Sequence, residues 1–199
     1  MLKRPIPKVI SPILKIEPVA TTIDLDGYKT LIVTSRHAVE QMGTRLKNRS
    51  IVTVGEQTAR LACDFGADAM CLGHDVERLL EMGDRIAFPA VHLRGVHSRG
   101  CLAKRLSEAG VITDEHIIYD QVEQPLNDEG KAALRGGNAV VPVFSPRSAK
   151  ILSAYGADPD TRVLAISQAA RDAWQAPGVC FVASHPDRKA MRDLVMASL

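Results

Sequence analysis

Two short phrases place a hydroxyl group where an apolar run ends and a helix is expected to begin. The first is "VTSRHAV", which contains Thr34 and Ser35. The second is "VFSPRSA", which contains Ser145 and Pro146. Free backbone N–H groups at a helix start, together with a hydroxyl, can bind a carboxylate. The same serines would also serve as ordinary N-caps, each worth about 1 kcal/mol of stability.

Two further phrases combine a glycine with hydrogen-bond donors. In "VGEQTA", Gly55 lets a ligand or another backbone come close, and Thr58 can donate to a carboxylate from the first helical turn. In "LRGVHSRG", Arg94 and Gly95 stand at a strand end and Arg99 follows. Arginine binds carboxylates through two parallel hydrogen bonds. The alternatives are a plain strand-to-helix turn in the first phrase and surface salt bridges in the second.

Tyr119 lies in the long extended stretch "VITDEHIIYDQVEQP" and is expected to face the ligand-binding side. Its hydroxyl can donate a hydrogen bond or a proton. The alternative is a packed tyrosine whose hydroxyl binds the backbone. The six histidines include no pair with metal-ligand spacing, and they are predicted to be single surface residues. The sequence contains no glycine-rich loop of the kind that binds nucleotide phosphates, and no Ser-His-Asp catalytic triad is predicted from it.

The composition argues against several classes of protein. The net charge is only +2 and no aromatic residues interleave the basic ones, so no nucleic-acid partner is predicted. No apolar run approaches the ~18 residues of a membrane helix, and no signal peptide is recognisable. The four cysteines lie far apart in the sequence and form no CxxC pair, so they are predicted to be reduced thiols. A cytoplasmic protein with no membrane partner is therefore predicted.

Short apolar strands alternate with helices along the chain, which predicts parallel sheets flanked by helices. A strand is predicted at Leu31–Ser35 and a helix at Arg36–Lys47. Further on, Ser98 is predicted to cap a helix that Gly110 ends. In open parallel sheets, ligands bind beyond the carboxyl ends of the strands, where the hydroxyl phrases fall.

The chain contains an internal repeat. "VTSRHAVEQM" recurs as "VFSPRSAKIL", and "VTVGEQTARLA" recurs as "VLAISQAARDA". In the second pair, Ser167 takes the place of Gly55. A third pair, "PKVISPILKIEP" and "HIIYDQVEQP", predicts two long strands that each join one lobe to the other. The repeat therefore predicts two similar α/β lobes.

Taken in order, "LIVTSRHAV", "VGEQTA", "LRG", the tyrosine of "HIIYD", "VFSPRSA" and "HPDRKAM" resemble the uroporphyrinogen-III synthase family over nearly the whole chain. The resemblance implies two flavodoxin-like lobes with parallel sheets, joined by a two-stranded antiparallel connector. One lobe would be continuous, at 19–117, and the other would combine 1–18 with 118–199. The resemblance also implies no cofactor and no metal.

The resemblance further implies a reaction and its residues. The family consists of hydro-lyases that cyclise hydroxymethylbilane, a linear tetrapyrrole, to uroporphyrinogen III with inversion of ring D. Tyr119 is the candidate general acid for the departing hydroxyl. The substrate-binding candidates are Thr34, Ser35, Arg36, Gly55, Thr58, Arg94, Gly95, Ser145, Pro146, Ser167 and Gln168. A monomer is expected, with hydroxymethylbilane synthase as a further partner.

Two departures from the family pattern raise an alternative. Family members usually start with a strand ending in Thr-Arg-Pro, followed by a helix, and the discontinuous lobe is expected to lack that unit. In "AISQAA", Ser167 and Ala170 stand where the family has Gly and Thr, which reduces the polar lining. The alternative function is a non-catalytic or truncated relative that binds a tetrapyrrole or acts as a scaffold. A third interpretation is an unrelated two-lobed binder of a sugar or an amino acid.

Overall fold

The computed structural model describes residues 7–20, 22–98 and 100–199 and divides into two compact units. The continuous unit is Lys15–Val122, and the discontinuous unit combines Met1–Leu14 with Glu123–Leu199. The strands are β1 (Leu14–Pro18), β2 (Thr30–Val33), β3 (Ser50–Thr53), β4 (Asp68–Cys71), β5 (Ala90–Gly95), β6 (Thr113–Glu123), β7 (Val140–Val143), β8 (Arg162–Ala165) and β9 (Val179–Val182). The helices are α1 (Arg36–Met42), α2 (Glu56–Asp64), α3 (Val76–Glu81), α4 (Leu102–Glu108), α5 (Asp128–Arg135), α6 (Pro146–Ser153), α7 (Gln168–Asp172) and α8 (Arg188–Ala197).

Two sheets form the framework of the fold. Six strands form one sheet in the order β1-β6-β5-β2-β3-β4, and three strands form the other in the order β7-β8-β9. The neighbouring pairs from β6 to β4 are parallel, and so are both pairs of the smaller sheet. The α/β fold class with parallel sheets, predicted from the alternation of strands and helices, is therefore confirmed.

The first strand, β1, runs antiparallel to β6. At one end the Val19 N–H donates to the Ile118 carbonyl oxygen at 3.1 Å, and at the other the Gln124 N–H donates to the Ile13 carbonyl oxygen at 2.9 Å. Residue numbers fall along one strand as they rise along the other, which defines the antiparallel direction. The boundaries between the two units fall after Leu14 in β1 and after Val122 in β6, so each lies inside a strand.

The core of the continuous unit covers both faces of β2. Leu31 and Val33 pack on one face with Val39 of α1, and Ile32 packs on the other face with Leu106 of α4. All five are at most 1% exposed. A strand buried on both faces is apolar at nearly every position, and the sequence of β2 follows this pattern. The chain therefore leaves the sheet from a tightly held position, directly before the first hydroxyl phrase.

The first helix is shorter than predicted. The predicted helix reached Lys47, whereas α1 ends at Met42 and Gly43–Leu46 forms a 3-10 turn. Gly43 has a φ of 51° and a ψ of −130°, a backbone conformation that glycine adopts without strain and that a right-handed helix does not contain. The periodic apolar pattern continues through the turn, so the pattern alone did not locate the helix end.

The predicted N-cap at Ser98 is wrong. Helix α4 begins only at Leu102. Gly100 and Cys101 have φ values of 85° and 46°, which no residue of a right-handed helix adopts. These two residues hold the chain away from the helix until Leu102, and Ser98 instead lines the pocket described below.

The discontinuous unit contains a smaller sheet and a helix that was not predicted. Within the part of the chain that the structure describes, β7 pairs only with β8, whereas its counterpart β2 pairs with both β3 and β5. Val143 and Ala149 pack with Trp174 on one face. The additional helix, α5, is capped by Asn127, whose side chain accepts the Gly130 N–H at 2.7 Å.

All the helices among the described residues are short. The longest of them, α8, has ten residues. None of the described helices is long and apolar enough to cross a membrane. The described residues also bring no three His, Cys, Asp or Glu side chains together as a metal site would.

Candidate functional site

Five of the predicted site residues line one pocket of about 150 Å³ in the continuous unit. They are Thr34, Ser35, Arg94, Gly95 and Tyr119. Val76, His92, His97, Ser98 and Leu102 complete the lining. The pocket lies where the neighbouring strands β2 and β5 reach their carboxyl ends. Open parallel sheets bind their ligands at this edge.

Ser35 and Tyr119 form a hydroxyl pair in this pocket. Ser35 is the N-cap of α1, with a φ of −136°, and its Oγ accepts the His37 backbone N–H at 3.1 Å. The Tyr119 hydroxyl, which comes from β6, donates to the same oxygen at 3.1 Å. Tyr119 is only 6% exposed, so its ring is held in place. Its hydroxyl therefore binds a side chain and not the backbone.

This hydroxyl pair can supply a hydrogen bond or a proton to a bound group. The Ser35 Oγ already accepts the His37 N–H and the Tyr119 hydroxyl, so its own hydrogen is available to donate. The His37 ring packs edge-on against Tyr119, with 6.0 Å between the ring centroids. Two hydroxyls in contact at the wall of a pocket are suited to acid assistance of a departing hydroxyl.

Gly95 leaves room for the ring of Tyr119. The register between β5 and β6 shifts between Arg94 and Gly95, which places Gly95 opposite Tyr119. A Cβ atom added at Gly95 would lie 2.6 Å from Cε2 and Cζ of Tyr119 and 3.0 Å from its hydroxyl oxygen. Glycine at this position therefore determines where the tyrosine hydroxyl lies.

Gly95→Ala is expected to lower the free energy of unfolding by about 1–3 kcal/mol, because the ring of Tyr119 must move to admit a methyl group. Urea unfolding followed by circular dichroism measures this change. Gly27→Ala is the matched control, since nothing lies within 4 Å of a Cβ added there. That control is expected to change stability by less than about 1 kcal/mol. Equal losses in both variants would contradict the steric explanation.

Arg94 lines the pocket with its charge already compensated. Its Nε and Nη2 donate to the two carboxylate oxygens of Glu115 at 3.0 and 2.7 Å, and its Nη1 donates to the Gly95 carbonyl oxygen at 3.0 Å. The hydrogen bonds of this pair raise the pKa of Arg94 and lower the pKa of Glu115. The salt-bridge alternative thus describes the structure, and ligand binding by Arg94 stays a prediction. Arg99 lies outside the described residues.

His92 belongs to the pocket although the sequence analysis did not select it. The prediction that the histidines are surface residues is wrong for His92, which is 3% exposed. Its Nε2 lies 3.3 Å from the Thr34 Oγ1. Burial lowers the pKa of His92 to about 4, because the charged ring would lose its hydration. The available signal was a polar residue inside the apolar strand "AVHLRG".

Arg36, Gly55 and Thr58 lie in the same unit but do not line this pocket. Arg36 is exposed on α1 and pairs with Glu40 at 3.1 Å. Gly55 is the N-cap of α2, and its N–H donates to the Gly73 carbonyl oxygen at 2.9 Å. Its φ of 81° is positive, which glycine adopts without strain. Ligand binding by these three residues stays a prediction.

Ser145 and Pro146 begin helix α6 in the discontinuous unit. The Ser145 Oγ accepts the Ser148 N–H at 3.0 Å and lies 2.9 Å from the Ser148 hydroxyl. Pro146 occupies the first turn, where its missing N–H costs nothing. The N-cap alternative is therefore present in the structure, and an additional role in anion binding stays a prediction.

Ser167 and Gln168 begin helix α7 in the same unit. The Ser167 Oγ accepts the Ala170 N–H at 3.3 Å, which is again the N-cap alternative. The Gln168 side-chain amide donates to Asp172 at 2.8 Å. The binding roles of Ser167 and Gln168 stay predictions.

The chain matches the family model described as uroporphyrinogen-III synthase HemD over residues 7–193. No curated protein sequence gives a significant match. Solved structures with a similar fold include the following two. The uroporphyrinogen-III synthetase from Helicobacter pylori is 17% identical, with a TM-score of 0.73, and the match covers 93% of this chain and 90% of that one. A mutant uroporphyrinogen III synthase from the extremely thermophilic bacterium Thermus thermophilus is 17% identical, with a TM-score of 0.51, and the coverage is 94% and 87%.

Proposed function

The chain belongs to the uroporphyrinogen-III synthase family, and on that premise we propose that it cyclises hydroxymethylbilane to uroporphyrinogen III with inversion of ring D. The observation that carries this proposal is the hydroxyl pair of Ser35 and Tyr119 in a pocket at the carboxyl ends of β2 and β5. The pair supplies the proton donor that the first step of such a reaction needs.

The proposed first step is loss of the substrate hydroxyl. The C–O bond of the hydroxymethyl group breaks, and the oxygen leaves as water after taking a proton from Tyr119, directly or through Ser35. The remaining azafulvene cation is attacked by the substituted carbon of ring D, which gives a spiro intermediate. This intermediate opens and closes again with ring D inverted. The ring proton released on closure returns to Tyr119, so the net change is the loss of one water molecule.

The main task of the protein in this proposal is geometric. Hydroxymethylbilane closes unaided to the type I isomer, so the protein must favour the inverted closure by folding the chain of rings. Thr34 and Ser35 offer hydroxyl donors to the substrate carboxylates. Ser145 and Ser167 are the proposed counterparts, since the oxygen of each accepts a cap N–H, and the Ser145 hydroxyl also shares a hydrogen bond of 2.9 Å with the Ser148 hydroxyl. The remaining proposed binding residues are Arg36, Gly55, Thr58, Arg94, Gly95, Pro146 and Gln168.

An isomer assay tests the proposal. The purified chain is given fresh hydroxymethylbilane, the products are oxidised, and the type I and type III porphyrins are separated by chromatography. We expect type III in excess, with a share that rises with protein concentration. A heat-denatured sample gives the unaided isomer ratio. Type I alone, formed no faster than in that sample, would show that the chain does not invert ring D.

A second candidate function is a non-catalytic tetrapyrrole-binding or scaffold protein. The observation that favours it is Ala170, which is fully buried in α7 and replaces the hydroxyl that Thr58 supplies in the other copy of the repeat. Saturable binding of hydroxymethylbilane, with only the unaided product, would support this second function over the first.

We also propose that the protein works in the cytoplasm as a monomer, with hydroxymethylbilane synthase as its supplier. Hydroxymethylbilane closes unaided, so the protein that makes it must act in the same compartment. All four cysteines are free thiols, as a reducing compartment keeps them. Sedimentation at the mass of one chain, 21.6 kDa, checks the monomer.

A further inference from the structure

His92 is buried at the wall of the proposed site, beside Thr34. It lies in the middle of β5, in a stretch where every residue from Ala90 to Leu93 is buried. It is 3% exposed, and its Nε2 lies 3.3 Å from the Thr34 Oγ1. The other ring nitrogen, Nδ1, is buried and has no hydrogen-bond partner among the described residues. The ring therefore has a single polar contact, and that contact is a residue of the pocket.

The ring is neutral at neutral pH. Burial is the main cause that lowers its pKa to about 4. Two charged groups also act on it, Glu115 in the opposite direction and Arg94 in the same direction as burial. Glu115 and Arg94 are paired with each other at 2.7 Å, so their effects on the ring oppose one another. A neutral imidazole carries one N–H donor and one acceptor nitrogen.

The position of the ring hydrogen follows from the two environments. If Nδ1 carried the hydrogen, a buried N–H would have no acceptor, which is rare in folded proteins. If Nε2 carries it, the ring donates to the Thr34 Oγ1, and Nδ1 keeps only a lone pair. The second arrangement satisfies the only donor on the ring. Thr34 then accepts from His92, and the hydrogen of its own hydroxyl points away from the ring.

We propose that His92 is a positioning residue that holds the Thr34 hydroxyl with its hydrogen directed into the pocket, where it donates to an anionic oxygen such as a substrate carboxylate. The identity of that anion rests on the proposed function, but the orientation of the hydroxyl does not. His92 acts through Thr34, which is half-buried and lines the pocket. Without the ring, the threonine hydroxyl would rotate among several orientations and donate into the pocket only part of the time.

Nitrogen NMR of the histidine rings tests the orientation without an activity measurement. Long-range proton–nitrogen correlations of the ¹⁵N-labelled protein show which ring nitrogen carries the hydrogen, and the signals of His92 are those lost in His92→Gln. We expect a neutral ring at pH 7 with its hydrogen on Nε2. A hydrogen on Nδ1, or on both nitrogens, would overturn the proposal whatever the isomer assay shows.

A double-mutant cycle tests whether His92 acts through Thr34. Thr34→Val keeps the shape of the side chain and removes the hydroxyl, and we expect a rise in KM of about tenfold, typical of a lost hydrogen bond to a charged group. His92→Asn carries an amide too short to reach Thr34, and we expect a similar rise. In the Thr34→Val background, His92→Asn is expected to have no further effect on KM.

His92→Gln is the matched control, because its longer amide can place a donor near the position of Nε2. We expect it to keep KM within about threefold of the wild-type value, less than the effect of a lost charged hydrogen bond. An equal rise in KM for His92→Asn in both backgrounds would show that the ring acts only by packing. If the wild-type chain forms no type III isomer, the same cycle is measured on the equilibrium binding of uroporphyrin III, a stable polycarboxylate. Equal losses of affinity in both backgrounds would again overturn the proposal.

Discussion

Tyr119→Phe is expected to lower the rate of type III formation about a hundredfold, which is the usual contribution of a positioned general acid. The substitution removes one oxygen and keeps the ring. The packing against Gly95 and His37 therefore remains, while the hydrogen bond to Ser35 is lost. The isomer assay, run at saturating hydroxymethylbilane, measures the rate and the ratio of type III to type I. Because unaided closure continues, the share of type I is expected to rise.

Tyr28→Phe is the matched control for this variant. The Tyr28 hydroxyl also donates to a side chain, Asp114, at 2.8 Å, but it lies outside the pocket. Tyr28→Phe is expected to keep the wild-type rate and isomer ratio. An unchanged rate for Tyr119→Phe, in a variant that unfolds at the wild-type urea concentration, would show that Tyr119 is not the proton donor. Ser35→Ala then tells whether the serine hydroxyl donates in its place.

Lowering the pH from 6.5 to 4 is expected to lower the free energy of unfolding by about 3 kcal/mol because of His92. Each unit of difference between the pKa values in the folded and unfolded states contributes about 1.4 kcal/mol. In the unfolded chain the imidazole takes up its proton near its ordinary pKa of 6.5, whereas in the folded protein its pKa is about 4. The unfolded state therefore binds more protons between these values. Stability rises with pH across this window and is lost as the pH falls.

Urea unfolding at several pH values between 7 and 4 measures this effect. His92→Gln does not titrate, so the free energy of unfolding of this variant is expected to fall less steeply with acid than that of the wild-type protein. His185→Gln is the control, because His185 is exposed, and it is expected to follow the wild-type curve. If His92→Gln and the wild-type protein lose stability in parallel, the ring is not responsible for the acid sensitivity.

Much of the fold could be predicted because its signals are local. Strands such as β2 are buried on both faces and are apolar at nearly every position, and the helices between them carry apolar residues at helical spacing. Helix α5 was missed although Asn127 and two acidic residues mark its start. The predicted start of α4 was wrong because Gly100 and Cys101 have positive φ values, which interrupt a right-handed helix. Cysteine rarely adopts a positive φ, so the sequence contains no signal for this conformation at Cys101.

The sequence indicated which residues the candidate site contains, but it did not indicate which of them contact one another. The hydroxyl phrase around Ser35 and the tyrosine of β6 were both selected, yet the bond between Ser35 and Tyr119 joins residues far apart in the sequence. The pairing of Arg94 with Glu115 depends on the register of β5 and β6, which includes an irregular step. His92 was overlooked because a single polar residue in a strand has no partner until the fold places Thr34 beside it.

The antiparallel pair of β1 and β6 sets the order of events while the protein is being made. Strand β1 leaves the ribosome early, but Ile118, which bonds to Val19, is synthesised about a hundred residues later. At roughly 5–20 residues per second, this interval lasts roughly 5–20 s. During that time β2 to β5 can form their own parallel pairs, whereas the partner strand of β1 has not yet been synthesised. The pairing of β1 with β6 therefore forms late, when β6 emerges, and it closes a loop of about a hundred residues within the continuous unit.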